Sequence, residues 1–279
     1  MKIPESLLPL LDQGIIDSVV RPLMSGKEAQ VFLVMSEGEQ RVAKVYKDAQ
    51  HRSFKHRADY TEGRRGRSSR DQRAIAKGSK HGKEQEELAW RSAEVDMIYR
   101  LRAAGLRVPE PYHFVDGVLV MELVQDLDGN PAPRLGDVEM EPDEALSVFH
   151  TLLGEVIKML CSGVIHGDFS DFNVLLGADG PVVIDFPQSF DAAQNQNAKE
   201  ILVRDVANLQ RFAVERGITD LPQRYAQEMW ELYARGDLKP DSALTGHHRA
   251  SERQADLRGL LQELADDERD EMRRRGVPA

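Results

Sequence analysis

Several oxygen-bearing side chains occur close together in one part of the sequence. His166-Gly167-Asp168 is followed by Asn173, and Asp185 comes directly after the apolar run Val182-Val183-Ile184. In phosphoryl transfer, one aspartate orients the acceptor, while an asparagine and a second aspartate hold Mg²⁺ on the nucleotide. We therefore predict that Asp168 orients the acceptor and that Asn173 and Asp185 ligate the metal.

The two predicted metal ligands flank a hairpin. Residues 174–176 and 182–184 are predicted strands, and Gly177-Ala178-Asp179-Gly180 is the turn between them. A turn centred near Asp179 makes positions 173 and 185 symmetric, so that both side chains lie at the same end of adjacent strands. The alternative, a polar turn in which Asp168 is only a cap, explains His-Gly-Asp but leaves Asn173 and Asp185 in register unexplained.

A lysine and a glutamate are candidates for a buried ion pair. Glu94 shares an apolar helix stripe with Trp90, Met97 and Leu101, where a carboxylate is costly unless a cation meets it. Lys44 is the candidate cation, since it lies late in a predicted strand and falls roughly opposite Val31 in the hairpin. The alternative, that Glu94 reaches solvent on an amphipathic helix, stays open at this point.

The segment Ser25-Gly26-Lys27-Glu28-Ala29-Gln30-Val31 predicts a phosphate-binding turn between two strands. A small glycine-containing turn lets backbone amides approach phosphate oxygens, and Lys27 adds a positive charge. The signal is weak by itself, because many turns contain glycine and lysine. It does not match a P-loop, which needs two glycines and then Lys followed by Ser or Thr before a helix.

Composition indicates a soluble, intracellular globular protein. The 279 residues include 47 acidic and 37 basic side chains, a net charge of −10, so any contact with nucleic acid must be local. The single cysteine, Cys161, excludes an internal disulfide framework and fits a reducing cytoplasm. No apolar stretch approaches the ~20 residues of a membrane span, and the first residues start no secretory signal.

One strongly basic segment interrupts this acidic chain. Residues 51–83 hold eleven basic and three acidic side chains, a net charge of +8, together with four glycines and few apolar residues. This composition predicts a flexible loop. Either it is a solvated linker, or it is an electrostatic arm whose affinity for a nucleic acid would be salt-sensitive and blind to sequence.

The order of predicted elements favours an α+β protein of two lobes. Strands are predicted at residues 31–35, 41–46 and 118–121, with a helix over 84–104 between them. Helices follow over 142–162, 199–216 and 221–235, and a charged one lies near 252–275. We divide the chain into an N-lobe (1–124), a C-lobe (125–220) and a C-terminal helical extension (221–279).

Five separated motifs, in the correct order, resemble the RIO family of atypical serine/threonine protein kinases over roughly residues 20–216. They are the turn Ser25–Val31, the lysine strand 42–47, Trp90 with Glu94, the strand 118–124 followed by Pro131-Ala132-Pro133-Arg134-Leu135, and the run from His166 to Asp185. The resemblance implies a reduced bilobal protein-kinase-like fold. It would have an antiparallel N-lobe sheet with one helix and a mainly helical C-lobe.

The resemblance also implies ATP and Mg²⁺ as cofactors, with Mn²⁺ as a possible substitute, and it assigns roles to residues. Ser25, Gly26, Lys27 and Lys44 would bind phosphates, Glu94 would hold Lys44, and Glu122 and Val124 would offer hinge backbone groups to adenine. Asp168 would be the catalytic base, with Asn173 and Asp185 as metal ligands. Asp205 resembles the aspartate that braces the catalytic loop.

Three functions are compatible with these residues. The first is a serine/threonine protein kinase that autophosphorylates. The second is a small-molecule phosphotransferase of the aminoglycoside- or choline-kinase type, and the third is an ATPase switch in small-subunit ribosome maturation. The family implies ribosomal RNA or a ribosomal protein as partner of the basic loop 51–83. About twenty residues precede the phosphate loop, too few for the N-terminal winged helix of one branch.

Overall fold

The computed structural model describes residues 3–26, 29–46 and 94–247. Five of its strands form one antiparallel sheet. The strands are β1 (Ser18–Ser25), β2 (Ala29–Ser36), β3 (Glu39–Tyr46), β4 (Pro111–Val115) and β5 (Val118–Glu122). They lie in the order β1-β2-β3-β5-β4. The predicted strand at 118–121 is confirmed.

The β2–β3 hairpin has the predicted register and a two-residue turn. Glu37 and Gly38 form its tip with φ of 54° and 77°, the pair of positive values that a tight two-residue hairpin requires. Lys44 pairs with Val31 across the hairpin, as the sequence predicted. Side chains alternate along a strand, so Ala43 and Val45 face one side of the sheet and Lys44 the other.

The N-terminal segment covers the outer face of this sheet. A single 3-10 turn (Glu5–Leu7) leads into α1 (Leu8–Asp12). Leu7, Leu10 and Ile16 are buried against a row of strand residues: Phe32, Val34, Ala43, Val45, Val118 and Val120. The opposite face, which carries Lys44, is thereby the face turned toward the rest of the molecule.

A helical lobe follows the sheet. Helix α2 occupies residues 94–103 of the described chain, and its predicted start at residue 84 lies outside the described residues. The other helices are α3 (Pro142–Cys161), α4 (Ala198–Glu215) and α5 (Tyr225–Arg235). The predicted helices over 142–162, 199–216 and 221–235 are confirmed to within a few residues, and the one near 252–275 lies outside the described residues.

The polar motif of the sequence lies between α3 and α4, next to two short pairs of antiparallel strands. Strand β6 (Val164–Ile165) pairs with β9 (Phe190–Asp191), and β7 (Val174–Gly177) pairs with β8 (Gly180–Val183). Single 3-10 turns at Leu135–Asp137 and Asp171–Asn173 precede α3 and β7 respectively. The polar motif therefore lies on connections between elements that the helices hold in place.

One core joins the helical lobe to the inner side of the sheet. Phe149 on α3, Leu209 on α4 and Met229 on α5 are each fully buried in it, as is Leu119 on β5. Helix α5, which we had assigned to a C-terminal extension, thus packs in the same core as α3 and α4. Among the described residues no helix combines the length and the apolar character that crossing a bilayer would need.

The outer cover of the sheet can be tested with two leucines of α1. Replacing Leu10, which is fully buried, with alanine should lower the free energy of unfolding by about 2–5 kcal/mol, because it leaves a cavity between helix and sheet. Leu8→Ala is the matched control: Leu8 is 45% exposed and its loss should cost below about 0.5 kcal/mol. Equal losses in urea denaturation would contradict this packing.

Candidate active site

Lys44 is held between two carboxylates that come from different parts of the chain. Its Nζ lies 2.7 Å from Oε1 of Glu94 on α2 and 2.7 Å from Oδ1 of Asp185, which follows β8. Glu94 is 1% exposed at its side chain, whereas Asp185 is 40% exposed and therefore reaches the surface of the site. The predicted ion pair is present, and the alternative in which Glu94 reaches solvent is wrong.

The charges in this triad stabilise one another. Burial would lower the pKa of Lys44, but the carboxylates of Asp185 and Glu94 outweigh burial and raise it well above its usual value. Burial would raise the pKa of Asp185, but the neighbouring ammonium of Lys44 outweighs burial and lowers it. Lys44 is therefore a cation and Asp185 an anion at neutral pH, the charge states that binding of phosphate and metal needs.

Asp168 and Asn173 contact each other directly. The side-chain amide Nδ2 of Asn173 donates to the backbone oxygen of Asp168 at 2.8 Å and to its Oδ2 at 3.2 Å. Asp168 is exposed, so its carboxylate is open to an incoming acceptor. These bonds fix the Asn173 amide so that its oxygen points away from Asp168.

The register of the β7–β8 hairpin differs from the prediction by one residue. Val174 pairs with Val183 and Gly177 with Gly180, so the turn is centred between Ala178 and Asp179. The backbone oxygen of Asn173 consequently accepts the N–H of Ile184, at 3.0 Å, and not that of Asp185. The predicted symmetry of positions 173 and 185 was wrong.

The backbone at Asp185 departs from the extended conformation of a strand. Asp185 has φ of 70°, a left-handed conformation that is uncommon for a residue other than glycine. In an extended strand the side chains of residues 184 and 185 would point to opposite faces. The left-handed conformation of Asp185 changes the direction of the chain at this point. Its carboxylate meets Lys44, and such strain persists only where the surroundings over-determine it.

His166 connects the loop around Asp168 to Ile184, the residue before Asp185. Its ring is 1% exposed; Nε2 lies 3.2 Å from the backbone oxygen of Ile184, and the N–H of Asp168 donates to Nδ1 at 3.3 Å. Burial lowers the pKa of His166 to about 4. The ring is therefore neutral at pH 7, with its proton on Nε2, because Nδ1 must accept.

Helix α4 braces the loop around Asp168, as expected for Asp205. The buried Asp205 carboxylate accepts the N–H of Gly167 at 2.8 Å and of Phe169 at 3.1 Å. Burial raises its pKa to about 7, although these two bonds oppose the rise. Sequence reasoning missed two partners on the same helix: Arg204 donates to the Gly167 oxygen at 2.7 Å and Asn208 to the Phe169 oxygen at 3.0 Å.

The predicted phosphate turn is closed by its own backbone. The N–H of Gly26 donates to the oxygen of Ala29 at 2.9 Å, and Ser25 pairs with Gln30 where β1 meets β2. The turn therefore lies between β1 and β2, and β2 pairs on its other side with β3, which carries Lys44. Lys27, the predicted cation of this turn, lies outside the described residues.

Glu122 and Val124, the predicted hinge residues, each have one backbone group that is hydrogen-bonded within the protein. The N–H of Glu122 donates to the Glu110 oxygen at 2.8 Å, and the oxygen of Val124 accepts the N–H of Ala132 at 2.9 Å. The Glu122 side chain is bonded to Arg107, a contact that sequence reasoning did not foresee. The hinge groups that remain to be tested against adenine are the Glu122 C=O and the Val124 N–H.

Comparison with known proteins identifies the family. The model of the RIO domain matches residues 30–226. The RIO-type serine/threonine-protein kinase Rio1 of Haloferax volcanii is 34% identical over 214 residues, which cover 76% of this chain and 69% of that protein. The chain belongs to the RIO family of serine/threonine kinases. The predicted family is therefore confirmed.

A human relative and a solved structure extend the comparison to more distant proteins and to the fold. Human serine/threonine-protein kinase RIO1 is 29% identical over 224 residues, which cover 78% of this chain but 37% of the human protein. A crystal structure described as the Rio2 kinase-ADP/Mg²⁺-phosphoaspartate complex from Chaetomium thermophilum superposes with a TM-score of 0.59 at 24% identity. It covers 94% of this chain and 75% of that one. The predicted kinase-like α+β fold is confirmed.

The buried histidine of this RIO domain should make stability depend on pH. Its pKa is about 4 in the folded protein and near 6.5 when unfolded, so the unfolded chain binds the extra proton and stability falls as pH decreases through this window. Between pH 7 and pH 5 this contributes a loss of about 2 kcal/mol in unfolding free energy. We expect His166→Gln to lack that part of the loss.

The control is His150→Gln, since His150 is exposed on α3. Urea denaturation at pH 7 and pH 5, without nucleotide or metal, gives the two differences. Other titrating groups, Asp205 among them, cancel when each variant is compared with the parent chain at both pH values. An unchanged pH difference in His166→Gln would show that the ring does not carry the effect.

Proposed function

We propose that this chain transfers the γ-phosphate of ATP to serine or threonine hydroxyls of protein, and that it autophosphorylates. The observation that carries the proposal is the position of Lys44, bonded at once to Glu94 and to Asp185. Beside this triad, Asp168 and Asn173 are locked together by the Asn173 amide. These are the groups that phosphoryl transfer needs in order to hold phosphates, metal and acceptor.

The side chains present fit a magnesium ion. Asp185 offers an ionised carboxylate, and Asn173 offers its amide oxygen because Nδ2 is committed to Asp168. Mg²⁺ prefers hard oxygen ligands and is usually held by one or two protein groups together with water and phosphates. The described residues accordingly hold no group of three His, Cys, Asp or Glu that could bind a metal ion by themselves. Mn²⁺ takes the same ligands.

The remaining groups would position the phosphates and the acceptor hydroxyl and would neutralise negative charge. Lys44, oriented by the buried Glu94, would exchange part of its contact with Asp185 for phosphate oxygens. Asp168 would accept a hydrogen bond from the acceptor hydroxyl and take its proton as the hydroxyl oxygen bonds to the γ-phosphorus. The bond from that phosphorus to the bridging oxygen breaks in the same step, and ADP leaves. When bound, Mg²⁺ neutralises the charge that develops on the phosphates. An aspartate is a weak base, but a loose transition state depends on positioning more than on proton removal.

An apolar surface next to Lys44 suits the adenine ring. Leu33, Val42 and Leu123 form a small buried cluster against which Val31 and Met121 pack. Val42 lies two residues before Lys44 and therefore on the same face of β3. A purine bound there would have its phosphates directed toward the ammonium of Lys44, with Glu122 C=O and Val124 N–H as its hinge contacts.

The proposal predicts that two single substitutions abolish turnover. Asp168→Ala removes the group that orients the acceptor, and Asp185→Asn removes the charge of a metal ligand. Each should lower the rate about 10²-fold or more, because positioning and electrostatic stabilisation account for nearly all of the catalysis. ATP hydrolysis and protein phosphorylation are measured in the same tubes.

Asp179→Asn is the matched control, since Asp179 is exposed at the turn of the same hairpin. Its rates should stay within about twofold of the parent chain, as expected for a surface site. Parental rates in Asp168→Ala or Asp185→Asn would remove that residue from the mechanism. ATP consumption without stable phosphoserine or phosphothreonine would favour an ATPase switch instead.

We propose a cytoplasmic protein whose basic segment 51–83 contacts ribosomal RNA. The segment lies outside the described residues, and its net charge of +8 in a chain of net charge −10 supports the proposal. Phosphate contacts release counterions, so the affinity should fall steeply with salt. The single cysteine agrees with a reducing compartment.

Replacing Arg64 and Arg65 with glutamine tests this contact. The slope of log affinity for single-stranded ribosomal RNA against log salt should decrease by about 1.4, which is two phosphate contacts. Arg211 and Arg235, exposed on α4 and α5, provide the matched double control and should leave the slope unchanged. Binding of a ribosomal protein but not of RNA would overturn the RNA assignment.

A further inference from the structure

The segment that connects α2 to β4 contacts several elements around the candidate site. Leu106 is 4% exposed and Val108 is completely buried in the main core. Arg107, between them, is directed the other way and lies at the surface. This alternation fixes the segment in the core while it leaves one arginine available for another contact.

The side chain of Arg107 makes a two-point contact with the hinge strand. Its Nη2 lies 2.7 Å from Oε1 of Glu122 and its Nη1 lies 3.0 Å from Oε2. The N–H of Glu110 donates to the same Oε2 at 3.0 Å. Burial would raise the pKa of Glu122, but the bonds from Arg107 and Glu110 lower it, so the pair is charged at neutral pH.

The backbone of Arg107 contacts two further elements. Its N–H donates to Oε2 of Glu155 on α3 at 3.2 Å, and its oxygen accepts the N–H of Val183 on β8 at 3.0 Å. Glu155 is itself buried and paired with Lys158 at 2.8 Å. One residue thus connects β5, β8 and α3.

These contacts lie next to both ends of the proposed nucleotide site. Glu122 is two residues before Val124 at the hinge, and Val183 is two residues before Asp185. We propose that Arg107 is a positioning residue that sets the distance between the hinge and Asp185, so that a nucleotide seated at the hinge presents its phosphates to the metal ligand. This inference rests on the proposed function.

The Arg107–Glu122 pair is exposed enough that its effect on positioning can be measured apart from any effect on stability. The side chains of Arg107 and Glu122 are 37% and 24% exposed, and ion pairs of this kind contribute little to the free energy of unfolding. A misplacement of about 1 Å between reacting groups, by contrast, can cost about 10²-fold in rate. The effect of losing the two-point contact should therefore appear in catalysis and in metal-assisted binding, and not in stability.

Arg107→Lys tests the inference in the full chain, because lysine keeps the charge and loses the two-point geometry. Calorimetry gives the affinity for ADP with and without Mg²⁺. We expect ADP affinity without Mg²⁺ to stay within about twofold, while the gain in affinity that Mg²⁺ provides falls about fivefold and kcat falls about tenfold. Glu122→Gln, which keeps the backbone of the hinge, should give the same pattern.

Arg102→Lys is the matched control. Arg102 is also a surface arginine near this segment and pairs with Glu110 at 2.8 Å, but it contacts neither Glu122 nor β8 in the structure described. Its kcat and its Mg²⁺-dependent gain should match the parent chain. The unfolding midpoints of all three variants should lie within about 2 °C of one another.

The outcomes separate the inference from the function on which it rests. If the parent chain shows no Mg²⁺-dependent gain in ADP affinity, the proposed nucleotide site fails. If the parent chain shows the gain and Arg107→Lys retains all of it together with the parental kcat, Arg107 is not a positioning residue. Losses that follow the unfolding midpoint, or that appear equally in Arg102→Lys, would assign Arg107 a structural role only.

Discussion

A buried ammonium group shared by two carboxylates holds the two lobes of this molecule in register. Lys44 belongs to the sheet, Glu94 to α2, and Asp185 to the hairpin of the helical lobe. Removing such charges from water is costly, and the cost is offset only when partners meet them with good geometry. Each element must therefore be placed so that its charged atom arrives within hydrogen-bonding distance. The same geometry leaves Asp185 partly open to solvent, where a metal and phosphates would approach.

The loop before β7 shows how such placement is achieved without regular structure. A connection of this kind has backbone groups that no ladder satisfies, and buried ones must find partners. Asp205, Arg204 and Asn208 on α4 bond the backbone of this loop, and the neutral ring of His166 joins it to the strand before Asp185. The exposed Asp168 is therefore carried on a rigid support, which suits the orienting role that we propose for it.

Two kinds of ion pair in this structure serve different purposes. The Lys44–Glu94 pair is shielded from water, so losing one partner would leave an uncompensated charge inside the protein. The Arg107–Glu122 pair is partly exposed and contributes little to stability, but its two bonds constrain direction as well as distance. Burial thus makes the first interaction a requirement for the folded arrangement, and geometry makes the second suitable for alignment of the hinge with β8.

Local sequence pattern was enough to predict strands β2, β3 and β5, helices α3 to α5 and the candidate site residues. The predicted strands 31–35 and 41–46 placed Lys44 opposite Val31, and the apolar stripe around Glu94 indicated a buried partner for it. The position of Asp185 could not be predicted in this way, because its left-handed backbone and the hairpin register that precedes it both differ from a regular strand centred on Asp179. Only the tertiary structure decided that Arg107 meets Glu122 and that α5 joins the main core. Periodicity reports which face of an element is apolar, whereas these contacts depend on how distant elements pack together.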